Sequence, residues 1–307
     1  MPGASSLTAT KMAEPTVKSK MAATVRPRLP LHWLGVAPFF LFALMFLVLP
    51  TMNLVVGAFQ NSDGAFTLDN FRELNTPSII SAYWISIKVG LASSILGAVI
   101  GFAMAVAVIR GGLPEWIRDS TLTFSGVASN FAGIPLAFAF IATIGRVGLV
   151  TVLLRDLLGF DIYAAGFNLL TFWGLTLTYI YFQIPLMILI ITPAIDGIKK
   201  EWGEAAATLG ANNWQYWRMV LIPVLFPSFL GTVILLFANA FGAIATAYAL
   251  TGSSLNIVPI LLYAQIRGDV LHNPNLGYAL AVGMIALTGL SNILYLWFRS
   301  RSERWLK

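Results

Sequence analysis

Residues 89–109 read VGLASSILGAVIGFAMAVAVI and contain no Asp, Glu, Lys or Arg. About 20 apolar residues, each rising about 1.5 Å along a helix, cross the hydrocarbon layer of a bilayer. A second stretch of this kind, GVAPFFLFALMFLVLP, occupies residues 35–50. The chain of 307 residues is 58% hydrophobic and only 10% charged, whereas a soluble domain is typically about 25% charged. The composition therefore predicts an integral membrane protein.

Six apolar stretches are long enough to cross a membrane, which predicts an all-α membrane protein built as a six-transmembrane-helix bundle. The predicted spans are residues 32–58, 80–109, 121–145, 167–193, 218–250 and 275–298. Small residues recur in the second span, at Gly90, Ser94, Gly97 and Gly101. Because small side chains let helix backbones approach closely in lipid, they favour a packed bundle over separate anchors.

The basic residues are distributed unevenly between the loops. With both termini in the cytoplasm, 14 of the 19 Lys and Arg residues fall in cytoplasmic segments and four in outer segments. Cytoplasmic loops carry an excess of these residues, so the sequence predicts that both termini are cytoplasmic. The same distribution argues against a nucleic-acid partner, which needs a basic patch on a folded polar surface.

The first thirty residues contain four prolines and have no hydrophobic period. We expect residues 1–30 to form a disordered basic cytoplasmic tail and residues 31–307 to form the membrane domain. A cleaved signal peptide is the alternative, since a basic region precedes an apolar one. The apolar stretch from Leu31 to about Phe59 is longer than the roughly 7–15 residues of a signal peptide's apolar region, and no Ala-x-Ala motif ends it.

Several kinds of chemical site are excluded or disfavoured by residues that the sequence lacks. It has no cysteine, and therefore no disulfide, thiolate metal site or thiol nucleophile. No Gly-Lys pair occurs, so the phosphate-binding P-loop motif is absent. The only histidines, His32 and His272, are far apart in sequence, which disfavours a metal site and a Ser-His-Asp arrangement. We therefore expect no catalytic residue and no metal site.

Polar side chains inside the spans are the candidates for a solute pathway. Lys88 is charged but lies near the outer end of the second span, where its ammonium can reach the membrane surface. The uncharged candidates are Ser125, Ser129, Asn130, Gln183, Asn239 and Thr246. A buried amide in lipid needs a hydrogen-bond partner, so such residues either join two helices or face the pathway. From this set we select Asn130, Gln183 and Asn239 as pathway candidates.

Residues 201–223, EWGEAAATLGANNWQYWRMVLIP, interrupt the apolar sequence between the fourth and fifth spans. Their Ala- and Glu-rich first part predicts a helix, with Asp196 as its N-cap. Gly210 can adopt the positive φ that ends this helix, and Asn212 with Gln215 is typical of a capping box for a second helix. On these residues alone, a surface for a partner and a solvated connector are equally compatible with the pattern.

The order of residues in this loop resembles the EAA motif of permease subunits of binding-protein-dependent ABC importers. Glu204, Ala205 and Ala206 are followed after three residues by Gly210, and after nine more by Val-Leu-Ile-Pro ending at Pro223. The family motif ends in Ile-x-Leu-Pro, so Val and Ile here are conservative differences.

The similarity extends beyond the motif, over about residues 75–298, and includes the number of spans and the position of the loop. Residues 68–93, LDNFRELNTPSIISAYWISIKVGLAS, are also similar to the start of the core in the polyamine, ferric-iron and phosphonate branch. The resemblance implies a transmembrane permease domain at residues 31–307. It also implies a small solute of polyamine, phosphonate or ferric-iron type.

The resemblance further implies that the loop is a coupling helix docked in a groove of a cytoplasmic ATPase. Glu204 would make the charged contact, Ala205 and Ala206 the close surface and Gly210 the turn, with Pro223 ending the motif. The implied partners are a dimer of cytoplasmic ABC ATPases, a second permease that is a homologue or a copy of this chain, an external solute-binding protein and membrane lipid. ATP and Mg would be used by the ATPase, so no cofactor is expected in this chain. The implied location is the inner membrane of a bacterium.

A stand-alone secondary transporter or channel is the alternative to a permease subunit. Such a protein would carry ionisable residues in mid-membrane and broken helices in matched halves, and the sequence indicates neither. A membrane enzyme would need clustered His, Asp or Glu at the membrane face. An assembly scaffold would leave the loop motif without a purpose.

Overall fold

The computed structural model describes residues 32–267 and 273–302. The predicted tail at residues 1–30, His272 and residues 303–307 lie outside the described residues. The chain divides into two compact units between Leu49 and Pro50. In the first unit, a helix is followed by a π-helical turn at Leu44–Val48, and none of the described side chains there is buried.

The described residues form helices and no strand, apart from an isolated bridge between Gln60 and Phe66. In chain order the helices are α1 His32–Ala43, α2 Leu49–Ala58, α3 Asp69–Glu73, α4 Pro77–Arg110, α5 Glu115–Asn130, α6 Ile134–Ile144, α7 Leu149–Leu158, α8 Phe172–Asp196, α9 Lys200–Thr208, α10 Asn213–Tyr216, α11 Ile222–Phe241, α12 Ile244–Thr251, α13 Val258–Arg267 and α14 Pro274–Ser302. A second π-helical turn occupies Trp217–Leu221, between α10 and α11.

Six helical segments of the described chain are long and apolar enough to cross a membrane, which confirms the predicted number of spans. They are Gly35–Ala58, Pro77–Arg110, Ile134–Leu158, Phe172–Asp196, Asn213–Phe241 and Pro274–Trp297. The third differs most from the prediction, which placed it at residues 121–145. Its second part, Leu149–Leu158, is a separate helix, α7.

Helix α8 lies at the centre of the second unit. Of its most apolar stretch 61% is buried, against at most 33% in the other five candidate spans. Helix α4 packs directly against it, since a Cβ added at Gly97 would lie 2.6 Å from Cβ of Gln183, and one at Gly101 would lie 2.7 Å from Cβ of Met187. This confirms the prediction that small residues in the second span allow close helix packing.

The third predicted span is not one continuous helix. Helix α5 ends at Asn130 and α6 begins at Ile134, and Gly133 between them has a φ of 73°. Pro135 follows in the first turn of α6. Proline lacks an N–H and restricts the residue before it, so it is tolerated at a helix start but not in the interior. The prediction of a single helix was wrong because it relied on hydropathy, which does not report the restrictions that a proline places on the backbone.

The fifth predicted span, residues 218–250, is also interrupted. Helix α11 ends at Phe241 and α12 begins at Ile244, and Ala243 between them has a ψ of 89°, outside the helical range. The carbonyl freed at Ala243 accepts a hydrogen bond from the hydroxyl of Tyr179 on α8. Backbone groups that leave a helix at membrane depth need such partners within the protein.

The two interruptions contact each other. The N–H of Gly133 donates to Oγ1 of Thr246, at 2.7 Å, and Thr246 is 2% exposed. The expectation that the third and fifth spans are continuous was therefore wrong, because backbone groups freed at the breaks are satisfied by residues distant in sequence. The interruptions lie in the third and fifth predicted spans, which do not correspond to each other in two halves of the chain, so the broken helices in matched halves of a stand-alone transporter are not what is seen.

Helix directions define two ends of the second unit. Gly97 faces Gln183 and Gly101 faces Met187, so α4 and α8 run in the same direction. Gly90 faces Phe237 whereas Phe102 contacts Phe229, so α11 runs in the opposite direction. Residues 111–114 and 197–212 therefore lie at one end, which we call the loop end. Residues 145–171 lie at the other, which we call the far end.

Candidate functional site

The segment between α8 and α9 differs from the predicted cap. Asp196 is the last residue of α8, and Gly197 is its C-cap. Lys199 occupies the N-cap position of α9 and makes no side-chain capping bond. The prediction of Asp196 as the N-cap was wrong because α8 extends three residues past its predicted end at residue 193. The carboxylate of Asp196 instead pairs with Arg118 of α5, at 2.7 Å.

The turn after α9 is the one that Gly210 predicts. Gly210 has a φ of 77°. Its N–H donates to the carbonyl of Ala207 at 2.9 Å, and the N–H of Ala211 donates to the carbonyl of Ala206 at 3.0 Å. These two bonds form a Schellman motif, the usual helix end at a left-handed residue. A Cβ added at Gly210 would meet no atom within 4 Å, so the backbone angle, rather than space, favours glycine here.

The capping box of the second helix is confirmed. Oδ1 of Asn212 accepts from the N–H of Gln215, and Oε1 of Gln215 accepts from the N–H of Asn212, each at 2.8 Å. Two backbone donors at the start of α10 are thereby satisfied. Together with the Schellman motif, this box fixes the chain direction between α9 and α10.

A π-helical turn at Trp217–Leu221 precedes Pro223, which lies in the first turn of α11. Proline provides no N–H and its ring clashes with the carbonyl four residues earlier. The wider π turn before Pro223 accommodates the missing N–H and the proline ring. The helix geometry therefore changes at Pro223, at the start of the fifth span. Sequence periodicity gave no sign of this π turn.

The outer face of this loop has no partner among the described residues of the chain. No residue of α9 is buried, and Glu204 and Ala205 are exposed. Large apolar side chains are also exposed nearby, with Leu209 at 87%, Trp214 at 69% and Met219 at 73%. Exposed apolar patches bind another protein or membrane lipid, and Trp214 and Met219 lie within the candidate span Asn213–Phe241.

A groove of about 680 Å³ separates α9 from the start of the fifth span. Its walls are Trp202, Ala205, Ala206, Leu209, Gly210, Ala211, Gln215, Tyr216, Met219, Val220 and Val224. The hydroxyl of Tyr216 is buried there without a hydrogen-bond partner in the described chain. The groove is lined mostly by apolar groups, and its lining residues include no pair of carboxylates that could act in catalysis.

The loop is anchored to the bundle by packing as well as by the Arg118–Asp196 pair. Trp202, Tyr216 and Trp217 pack against a buried cluster that includes Ile195 and Leu221. A displacement of α9 is therefore resisted by the ends of both neighbouring spans.

The three pathway candidates are not brought together as one site. Gln183 is fully buried, and its Nε2 donates to Oγ of Ser93 on α4 at 2.9 Å, while its Oε1 has no partner in the described chain. Asn130 is exposed and is the last residue of α5. Asn239 is exposed on α11, two residues before its end. Both asparagines thus lie beside a helix interruption, and their part in a pathway stays a prediction.

The charged residue inside the second span, Lys88, lies on an exposed face. Its ammonium is 5.0 Å from the ring centroid of Trp84. In residues 32–267 and 273–302, no group of three His, Cys, Asp or Glu side chains could hold a metal ion.

Comparison with known proteins gives a family for this chain. Residues 97–306 match the family described as binding-protein-dependent transport system inner membrane component. The sulfate transport system permease protein CysT of Escherichia coli K12 is 26% identical over 251 residues, covering 80% of this chain and 85% of the relative. The molybdenum permease protein ModB of Mycobacterium tuberculosis H37Rv is 26% identical over 223 residues, covering 71% and 78%.

A third relative, the spermidine/putrescine permease protein PotB of Haemophilus influenzae, is 22% identical over 272 residues, covering 86% of this chain and 92% of the relative. Among solved structures, a bacterial ABC transporter that imports alginate superposes with a TM-score of 0.67. The superposition covers 90% of this chain and 96% of the transporter chain. Because the identity is 16%, it shows a shared fold only. The family match, the six spans and these relatives lead to one conclusion. The chain belongs to the inner-membrane components of binding-protein-dependent transport systems, as a multi-pass permease subunit of an ABC importer and not an enzyme itself.

Proposed function

We propose that the loop formed by α9, the turn at Gly210 and α10 is the coupling element of this permease, and that it docks on a cytoplasmic ATPase. The observation that carries the proposal is a short helix fixed at its C-terminal end, anchored at its base and unburied on its outer face. A joint that transmits movement needs this rigidity, since a flexible loop would absorb the displacement. Glu204 provides the charge, Ala205 and Ala206 the close surface, Gly210 the turn and Pro223 the base of the fifth span.

The loop end of the bundle is the cytoplasmic end, and both termini are cytoplasmic. The distribution of 14 Lys and Arg residues against four supports this orientation. The loop end carries Arg110, Arg118, Lys199, Lys200 and Arg218. Residues 145–171, at the far end, then face the compartment from which solute is delivered.

The working importer consists of this chain, a second permease that is a homologue or a second copy, two cytoplasmic ATPases and an external solute-binding protein. ATP and Mg bind to the ATPases, and this chain contributes no phosphate-binding loop. Alternating access results when closure of the ATPase pair displaces the two coupling loops. The interruptions at 131–133 and 242–243 are positions where the spans can change angle without breaking a continuous helix.

The solute is a small polar or charged compound handed over by the binding protein. The relatives are named for sulfate, molybdenum and spermidine/putrescine, and the sequence branch adds phosphonate and ferric iron. Asn130 and Asn239, uncharged and beside the interruptions, are the pathway residues that we propose for this chain. Gln183 joins α8 to α4 and acts on the pathway by holding these helices together.

Affinity purification of the tagged chain from its native membranes, with mass spectrometry of the co-purifying proteins, tests this assembly. A P-loop ATPase and a six-span protein in stoichiometric amounts, or the ATPase with a second copy of this chain, are the expected result. If the chain purifies alone and moves solute in liposomes without ATP, it acts as a stand-alone transporter and the coupling role is wrong.

A further inference from the structure

An apolar groove opens at the far end of the bundle, away from the proposed coupling loop. It has a volume of about 370 Å³ and is lined by Ile144, Phe160, Ile162, Ala165, Phe167 and Leu177. All six side chains are apolar, and Phe160 and Leu177 are 52% and 41% exposed. A volume of this size lies within the usual range of about 300–1,000 Å³ for ligand pockets.

A cation is held beside this groove by Tyr163. The hydroxyl of Tyr163 donates to the carbonyl of Ile144, a residue of the groove wall, at 3.0 Å. The guanidinium of Arg146 lies 5.4 Å from the centroid of the Tyr163 ring. A cation over an aromatic face is attracted to it, so the ring holds the charge close to the groove.

Two carboxylates of the same segment make contacts with other groups. Asp161 accepts hydrogen bonds from the N–H groups of Tyr163 and Ala164, at 2.8 and 3.2 Å. Asp156 pairs with Arg155, at 3.3 Å. No carboxylate in residues 32–267 or 273–302 comes within 4.0 Å of Arg146, so Arg146 remains available to an external anion.

The groove lies near the start of the candidate span Phe172–Asp196, where a span of that length would meet the membrane surface. Leu177 is five residues inside the span Phe172–Asp196, which is about 7.5 Å along a helix. Trp173, at the start of that span, is 63% exposed, as expected for a tryptophan at the lipid interface. Leu149, Leu153 and Leu157 of α7 recur every fourth residue and are exposed, which gives this corner an apolar face suited to the membrane surface.

From these observations we propose that the groove binds an anionic phospholipid, with part of an acyl chain along its apolar walls and the phosphate beside Arg146. The apolar walls at membrane depth favour hydrocarbon over a polar occupant. A basic residue near the membrane surface attracts an anionic headgroup. The site is remote in sequence from the coupling loop, so the proposal stands independently of the coupling role.

Native mass spectrometry of the full chain in mild detergent, titrated with phosphatidylglycerol or phosphatidylcholine, tests the site. The variant Arg146→Gln should lower the preference for phosphatidylglycerol over phosphatidylcholine by up to about fivefold, as expected for loss of one exposed ion pair with the headgroup. The matched control is Arg155→Gln, which removes an exposed arginine of the same region that is already paired with Asp156. It should leave the preference unchanged.

A second variant tests the groove itself, because charge alone does not define an acyl site. Ala165→Phe places a ring in the groove and should weaken binding of both lipids, with the elution volume of the protein unchanged. Equal losses in Arg146→Gln and Arg155→Gln, or unchanged lipid binding in Ala165→Phe, would overturn the proposal. Displacement of the lipid by glycerol phosphate at equal concentration would show a phosphate site in its place, and a photo-crosslinker at Leu177 that captures protein would show that another chain covers the groove.

Discussion

Nη2 of Arg118 lies 2.7 Å from Oδ2 of Asp196, and this ion pair joins the first turn of α5 to the last residue of α8. The loop that we propose as the coupling element begins with α9 at Lys200, four residues after Asp196. Helix α5 leads in the other direction to the interruption at residues 131–133. A displacement of the loop would therefore act directly, through this ion pair, on the helix that ends at the interruption. The apolar packing around the pair provides a second connection.

The pair should contribute modestly to stability. Both side chains are 39% exposed, and ion pairs of this kind are worth about 0–1 kcal/mol. We expect Arg118→Asp and Asp196→Arg each to lower the melting temperature slightly in detergent, and the double exchange to recover part of the loss. Thermal unfolding at low and high salt checks this, since screening should reduce the difference. If the decrease in melting temperature of the double variant equals the sum of the two single decreases, the residues do not interact.

Reversing the charge at Glu204 should uncouple ATP hydrolysis from transport. Glu204 is exposed on α9, so Glu204→Arg should leave insertion and folding unchanged while preventing docking of a partner that recognises a carboxylate. Glu201→Arg is the matched control, because Glu201 is exposed on the same helix one turn earlier. The measurements are solute uptake, ATPase activity and co-purified ATPase. Normal uptake with normal ATPase association in Glu204→Arg would refute the assigned contact.

Replacing Gly210 should disturb the turn through its backbone alone. A Cβ at this position meets no atom within 4 Å, yet the left-handed conformation costs other residues about 1–2 kcal/mol. We expect Gly210→Val to lower the melting temperature and the amount of co-purified ATPase.

A second glycine of the same loop provides the comparison. Gly203 lies inside α9, and an added Cβ would make an ordinary contact 3.7 Å from Tyr216. Gly203→Ala should therefore be neutral or stabilising, by about 0.5–1 kcal/mol. If both variants behave alike, the conformation of Gly210 does not matter for this loop.

The contact between the two helix interruptions should be costly to remove. Thr246→Val keeps the side-chain shape but leaves the N–H of Gly133 without its acceptor, and an unsatisfied buried donor costs about 1–3 kcal/mol. Thr232→Val is the control, since Thr232 is equally buried, at 2%, and bonds only the carbonyl of Ser228 in its own helix. Thermal unfolding in detergent should show a larger decrease for Thr246→Val. Equal decreases would mean that the interruption does not depend on this bond.

Much of the loop was predictable from the sequence because its interactions are local. Asn212 and Gln215 are three residues apart, and their side chains satisfy each other's backbone. The Schellman bonds around Gly210 likewise span few residues. The six spans were predictable because hydropathy reports which segments avoid water, although it left their ends uncertain.

Features that depend on distant residues were missed. Pro135 gave a local sign of the first interruption, but nothing near Gly133 indicates Thr246, which is 113 residues away. Asp196 is of a residue type that is common at N-caps. Only the packed structure shows that it pairs with Arg118 of α5 instead. Gln183 has the polarity of a pathway residue, yet the close approach of α4 buries it against Ser93.

Six membrane-crossing segments follow from the hydropathy of the chain, and the caps that shape the loop between the fourth and fifth spans follow from residues close in sequence. Composition and short-range hydrogen bonds are sufficient for both, since each depends on neighbours in the chain. Helix packing sets where two spans are interrupted, which charge Asp196 meets and which polar residues are buried. Those outcomes depend on backbone and side-chain groups that meet only after the helices have packed.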